Sequence, residues 1–460
     1  MALVKRFFCA TLALSSTLVV GLQPKEDARF ALVADAGSTG TRVYLFRLPT
    51  SDADGKVEIT DLGKGPALSS FKANPENSHQ AVASQIEKAQ SLIPPEVQTT
   101  VPVSVFATAG MRLVEANVQE AIYKGMQAGL KSVTGGYRFD IKRLQTRTIS
   151  GREEGIFALI AANYLAKHLL STLKASTGTL MGVLDLGGSS TQIAAPPALL
   201  SGEALSSKLG EDDTFVRSFL NLGMERMRQR TFDRFVSSAS GLQQARRAVP
   251  NPCSFYGYSP DGEDWRGVGD SKACEAAVAA LLQEERNTCQ QKVLAATAAA
   301  DECLSSDPLE VPKGLTDKPR FFLISGYMYV TDFAGWLVKN PAVKLPDTFT
   351  PPEGERPYAT PTIDELREAA AIVCSEPWSA LQDFAHGDSR HKFTPAKKVP
   401  HRCFEINYII ALLSVGYGLP SQERLFHIVD EIDGGEIEWT LGAFLHGLSE
   451  FAVPQVTQEL

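Results

Sequence analysis

The chain has 460 residues, 44% of them hydrophobic and 21% charged, with 45 basic against 53 acidic side chains and a formal net charge of −8. That length calls for two domains, and the composition excludes a disordered chain, a collagen and a coiled coil. The acidic balance excludes a general nucleic-acid binder, which needs a basic surface.

Residues 1–27 read as a targeting segment. Lys5 and Arg6 precede an apolar stretch from Phe7 to Leu22, and a polar run follows. This is either a secretory signal or an anchor left in place; the apolar run is short of the roughly 20 residues a spanning helix wants. Phe30–Asp35 is a strand candidate closed by a Gly-rich turn, and Arg42–Leu48 is a second. Val101–Thr108 is another, and Glu153–Ser171 has a helical spacing of apolar residues. Met181–Asp185, Ser190–Ala195 and Arg320–Ser325 read as strands. Helical patterns recur near 78–92, 115–131, 213–230, 275–301, 361–373, 404–415 and 439–450. Pro and Gly collect at 305–319 and 341–361, which read as surface loops. Strands mixed with helices predict an α/β fold.

The informative feature is a gapless repeat. DAGSTGTRV at 35–43 aligns with DLGGSSTQI at 185–193, so both copies read D-x-G-[SG]-[ST]-x-T-x-[VI]. Each copy follows one apolar strand and leads into another. Glycine removes the Cβ and lets the backbone approach a ligand. Successive N–H groups then form an anion nest, and Ser and Thr hydroxyls add donors. An aspartate would repel a phosphate at such a loop, so it makes sense if a divalent cation sits between them. Two matched loops facing each other could clamp a polyphosphate and its metal. A pair of ordinary β-turns is the plainer reading, and the match between the copies argues against it.

Other phosphate and hydrolase signatures are absent: no G-x-x-x-x-G-K-[ST] and no G-x-S-x-G occurs. Six cysteines (Cys253, Cys274, Cys289, Cys303, Cys374 and Cys403) lie in the second half, behind a targeting segment. That pattern suggests three disulfides, and no C-x-x-C spacing favours zinc.

Further segments, in order along the chain, are ATAGMR at 107–112, SGREEG at 150–155 leading to Ala162, Asn163 and Tyr164, and Trp439-to-Gly442. With the two repeat copies they make the chain resemble the apyrase family, the nucleoside triphosphate diphosphohydrolases that include ecto-ATPases and Golgi nucleoside diphosphatases. The resemblance spans about residues 30–450. It implies two ribonuclease-H-like lobes of the actin, hexokinase and Hsp70 superfold around a central cleft. The first lobe would hold 28–165 plus 425–460, and the second 166–424 with the disulfides. It implies hydrolysis of the terminal phosphate of nucleoside tri- or diphosphates by direct attack of water, with Mg²⁺ or Ca²⁺ as cofactor. It also implies the secretory pathway as location: secreted, or in the Golgi or ER lumen, with membrane contact only through the N-terminal segment.

Carried over residue by residue, the resemblance makes Glu154 the general base, and Ser190 and Gln192 the holders of the attacking water. Asp35 and Asp185 fall on the carboxylates that bind the metal through water. Ser38, Thr39, Gly40 and Thr41 fall on the first phosphate loop, Gly187, Gly188 and Ser189 on the second, and Thr108 at the end of the next motif. Tyr327 or Tyr329, with Lys398 and Arg402 opposite, are the candidates for holding the base; core packing and solvated charge are the alternatives. Glu153 is expected to be an exposed charge, and Arg112 to brace a loop. The family's disulfide pattern implies Cys253–Cys289, Cys274–Cys303 and Cys374–Cys403. Leu159 stands where many members carry Trp. Two other readings stay open: an exopolyphosphatase of the same superfold, and a catalytically silent nucleotide-binding surface protein.

Overall fold

A computed structural model describes residues 28–49, 56–132, 139, 144–176, 180–196, 214–238, 248–262, 265–295, 303–304, 320–337, 359–385 and 391–451. The targeting segment, the loop expected at 305–319 and all but residues 359–361 of the loop expected at 341–361 lie outside the described residues.

Two five-stranded sheets carry the fold. The first has strands β1 (Ala28–Gly37), β2 (Gly40–Pro49), β3 (Glu58–Gly65), β4 (Val103–Ala107) and β5 (Gln145–Thr148), in the order β3-β2-β1-β4-β5. Then come β6 (Gly182–Leu186), β7 (Ser190–Ala195) and β8 (Phe215–Leu220), a separate short parallel pair β9 (Val249–Asn251) and β10 (Trp265–Gly267), and β11 (Phe321–Ser325) and β12 (Phe426–Ile428). The second sheet runs β8-β7-β6-β11-β12. In both sheets the first three strands form an antiparallel meander and the next two add in parallel to the other edge of the leading strand. The sequence repeat is thus the visible part of a repeated topology. The register repeats as well: Asp35 lies opposite Arg42, and Asp185 opposite Gln192.

The helices are α1 (Ala83–Leu92), α2 (Ala109–Arg112), α3 (Ala116–Ser132), α4 (Gly151–Leu165), α5 (Met224–Ser238), α6 (Ser271–Leu294), α7 (Gly326–Leu337), α8 (Ile363–Ser375), α9 (Trp378–Ala385), α10 (Arg402–Ala411) and α11 (Trp439–Phe451). Side chains alternate across a strand, so each sheet serves two cores. Ala31 and Val33 of β1, with Val183 of β6 and Phe322 and Ile324 of β11, face a central core made with α4 and α11. Leu32 and Ala34 face an outer core with α1 and α3, and Leu184, Leu186, Phe321 and Leu323 face the outer core of the second sheet. Sheets buried on both faces explain the near-continuous apolar runs at 30–34 and 181–186. The two sheets therefore sandwich α4 and α11, which is the two-lobed α/β architecture implied above. Phe444 stacks on Phe46 with centroids 5.1 Å apart, and Trp439 lies over Phe157 at 6.4 Å.

Several expectations need correction. Residues 213–230 are not one helix: β8 pairs with β7, Asn221 turns the chain at a φ of 73°, and α5 begins at Met224. Asparagine is among the few residues that adopt this left-handed conformation readily. The polar strands β3 and β5 carry no apolar run because they are sheet edges. The stretch 425–460 divides: β12 is an edge of the second sheet, whereas α11 packs on α4, β1 and β2. The disulfides are Cys253–Cys274, Cys289–Cys303 and Cys374–Cys403, so the interleaved pairs Cys253–Cys289 and Cys274–Cys303 are replaced by sequential ones. Cys274 and Cys289 both lie on α6, about 22 Å apart at a helical rise of 1.5 Å per residue. Cys253 sits against the first of them, with 4.8 Å between Cα atoms, and cannot reach the second.

Candidate active site

The two repeat loops meet at a cleft of about 430 Å³. Ser38, Thr39 and Gly40 line it from the β1–β2 turn, and Gly187, Gly188, Ser189 and Ser190 from the β6–β7 turn. The loops touch: a β-carbon added to Gly188 would lie 2.9 Å from Ser38 Oγ. A side chain at Gly188 would have to displace the Ser38 hydroxyl of the facing loop. Thr108 lines the cleft at the start of α2, with its N–H donating to the Ala36 carbonyl at 3.3 Å.

Thr41 departs from its expected role. It is fully buried and donates its hydroxyl to the Pro66 carbonyl at 2.8 Å. Its counterpart Thr191 donates to the Asp185 carbonyl at 2.7 Å and sits 3.0 Å from the Tyr417 hydroxyl. The repeated threonine is therefore a fastener inside each lobe, and the hydroxyl residues of the two loops that line the cleft are Ser38, Thr39, Ser189 and Ser190.

Glu154 lies in the first turn of α4, buried, and lines the cleft. Its position follows from the helix start. Ser150 is the N-cap and accepts from the Glu153 N–H, while the Glu153 carboxylate accepts from the Ser150 N–H at 2.7 Å. This capping box satisfies two end donors reciprocally and fixes the first turn. Glu153, expected to be a free surface charge, is thus structural and also pairs with Arg147 at 2.7 Å. Gln192 Nε2 donates to Glu154 Oε2 at 3.2 Å, to Ser190 Oγ at 2.9 Å and to Ser218 Oγ at 3.2 Å. Arg112 donates from Nη2 to the same Glu154 oxygen and from Nε to the Ile149 carbonyl at 3.0 Å. Burial pushes the Glu154 carboxyl up, and the Arg112 charge opposes it.

Asp35 and Asp185 stand at the ends of equivalent strands, one on each side of the cleft. Burial, then the charge of Glu154, raises both: Asp35 to about 7, with Asp185 adding to the repulsion, and Asp185 to about 6. The Oδ1 atom of each is buried without a hydrogen-bond partner. Unpartnered buried carboxylate oxygens are costly unless a cation or its waters complete them. The pair therefore fits a hard divalent ion. No group of three His, Cys, Asp or Glu side chains capable of a direct metal cage occurs among the described residues, so these two carboxylates suit an ion that keeps much of its water.

The outer cleft sorts the four base-binding candidates. Tyr329 on α7 lines it and stacks on Phe393, with centroids 5.7 Å apart. Tyr327 is fully buried in the second-lobe core and does not line the cleft. Lys398 lines the wall but is paired with Glu225. Arg402 is committed internally: it donates to Glu405 at 2.5 Å, to Thr394 at 2.7 Å and to the Phe393 carbonyl at 3.1 Å. Three further groups line the cleft. Lys64 comes from the edge strand β3 and reaches Thr39 Oγ1 at 3.4 Å. Glu438, raised to about 8 by burial and by the charge of Asp35, faces Arg42 at 3.6 Å. Ser325 closes β11 in a left-handed conformation, φ 58°. None lies in a repeated or spaced motif, and only the neighbourhood of Glu438 to Trp439 offered a signal.

The profile of the GDA1/CD39 (nucleoside phosphatase) family matches residues 22–459. A guanosine-diphosphatase of Schizosaccharomyces pombe is 29% identical over 459 residues, covering 93% of this chain and 75% of that protein. A nucleoside-triphosphatase of Caenorhabditis elegans is 26% identical over 473 residues, covering 95% and 78%. A Golgi apyrase of Schizosaccharomyces pombe is 24% identical over 467 residues, covering 91% and 75%. In three dimensions the chain is similar to the crystal structure of nucleoside triphosphate hydrolases from Neospora caninum, with a TM-score of 0.58 and 18% identity over 92% of this chain and 93% of that one.

Proposed function

Since the chain belongs to the GDA1/CD39 (nucleoside phosphatase) family and is a hydrolase of the phosphoric anhydrides of nucleoside di- and triphosphates, we propose that it removes the terminal phosphate by in-line attack of a water activated by Glu154. The observation that carries this reading is the convergence on one cleft of Glu154, Ser190 and both glycine-rich loops, with the buried Gln192 amide hydrogen-bonded behind them to Glu154 and Ser190. Backbone N–H groups and hydroxyls of Ser38, Thr39, Gly40, Gly187, Gly188 and Ser189 hold the phosphate chain. Ser190 Oγ and Gln192 orient the water, and Glu154 accepts its proton as the oxygen bonds to the terminal phosphorus. The bond from that phosphorus to the bridging oxygen breaks, and the shortened nucleotide leaves with the electron pair. Asp35 and Asp185 would hold Mg²⁺ or Ca²⁺ through its water shell, and such an ion supplies charge neutralisation on the phosphate oxygens. Tyr329 and Phe393 form the aromatic wall on which a base can stack.

Relatives named Golgi apyrase and the targeting segment at 1–27 support a place in the secretory pathway. No helix among the described residues is long and apolar enough to cross a membrane.

The test is phosphate release from ATP, ADP, GTP, GDP, UTP, UDP and polyphosphate, with Mg²⁺, Ca²⁺ or EDTA, beside Glu154→Gln. Release from nucleotides that needs metal and falls about 10²–10⁴-fold in the variant is expected. Release from polyphosphate alone, or an unchanged Glu154→Gln, would overturn the reading.

A further inference from the structure

Arg112 ends the four-residue helix α2, and its side chain is only 14% exposed. It is not among the cleft-lining residues. Its guanidinium nevertheless ties two points of the next motif together: Nε donates to the Ile149 carbonyl, just ahead of the α4 N-cap, and Nη2 to Glu154 Oε2. The Gln192 amide donates to that same oxygen. Both donors fall on Oε2, and none among the described residues falls on Oε1.

We propose that Arg112 is the positioning residue for Glu154, pinning Oε2 so that Oε1 alone is presented to the attacking water. The inference rests on the reading of Glu154 as the base. A carboxylate free to rotate exchanges its two oxygens and spends part of its time misaligned, and a planar guanidinium with two fixed donors removes that freedom. The ion pair also favours the ionised carboxylate, the form a general base needs, against the burial that disfavours it. A residue that only braced its loop would need the bond to Ile149 and not the one to the carboxylate. A residue that bound substrate would line the cleft.

The experiment compares the full chain with Arg112→Met, Arg112→Lys and Glu154→Gln, measuring kcat and KM for nucleoside di- and triphosphates with Mg²⁺ from pH 5 to 9. Arg112→Met is expected to lower kcat about 10²-fold and leave KM within about threefold. The acid limb of its kcat profile moves to higher pH, and millimolar guanidinium chloride restores part of the rate. Arg112→Lys keeps the charge without the fork and falls between. A raised KM at unchanged kcat would make Arg112 a substrate contact. A lowered kcat with an unmoved acid limb and no guanidinium rescue would make it a loop brace. Either result overturns the proposal, and if Arg112→Met does not fold, the acid limb of Arg112→Lys decides. Activity retained in Glu154→Gln would sink the base reading and this one with it. An inactive Glu154→Gln beside a wild-type-like Arg112→Met would sink this one alone.

Discussion

Asp35 and Asp185 each hold a proton at a pH where exposed carboxylates, with ordinary values near 4, do not. Between about pH 4 and pH 7 the folded protein therefore binds more protons than the unfolded one, and its stability falls as pH rises through that window. A bound divalent cation offsets the same repulsion. In EDTA the melting temperature should drop from pH 5 to pH 8, and added Mg²⁺ or Ca²⁺ should raise it more at pH 8 than at pH 5. Asp35→Asn should flatten the fall; a metal-free protein that grows more stable over this range would refute the account. Tyr329 and Arg402 separate a binding role from a structural one. Arg402→Ala leaves the Glu405 carboxylate buried without its partner, at a cost of about 3–5 kcal/mol. Tyr329→Ala should instead raise KM for nucleotides with little change in melting temperature. If Arg402→Ala melts normally and loses nucleotide affinity, the two assignments are reversed.

At the scale of elements, α4 is the member on which the site depends. Its capping box sets the first turn that carries Glu154, and its remaining length is buried between the two sheets. The crossing with α11 is close: a β-carbon on Gly442 would lie 1.8 Å from the Phe157 carbonyl oxygen. Gly442→Ala must push the helices apart, which typically costs about 1–3 kcal/mol. Because α4 carries Glu154, the proposed base, kcat should fall together with the melting temperature measured by thermal unfolding. A variant with unchanged stability would mean that α11 can shift freely. Leu159 belongs to the same buried layer. It is fully buried in the central core, so its size bears on the packing beneath the cleft rather than on a contact within it.

At the scale of the whole molecule, the duplication decides the site. Two sheets of identical topology each deliver a glycine-rich turn and an aspartate, and the shared layer of α4 and α11 sets them face to face. The second lobe is fastened by sequential disulfides, and mapping by non-reducing proteolysis and mass spectrometry should recover Cys253–Cys274, Cys289–Cys303 and Cys374–Cys403. Recovery of Cys253–Cys289 would refute the pairing. Much of this was written in the sequence. The repeat and the strand–turn–strand segments around it are local patterns, because glycine-rich turns and buried strands impose their composition on consecutive residues; Glu154 was legible only through the resemblance of SGREEG at 150–155 to a family motif. Four things were decided only by tertiary structure. The edge strands β3 and β5 are polar and take their form from their neighbours. The burial of Thr41 and Tyr327 depends on which face of an element meets the core. The partners of Glu154, Arg112 and Gln192, come from segments far from it in the chain, and the cysteine pairing follows from the length of α6. Local composition records the conformation of a segment, whereas the sharing of a hydrogen bond or a charge is settled only when distant segments pack together.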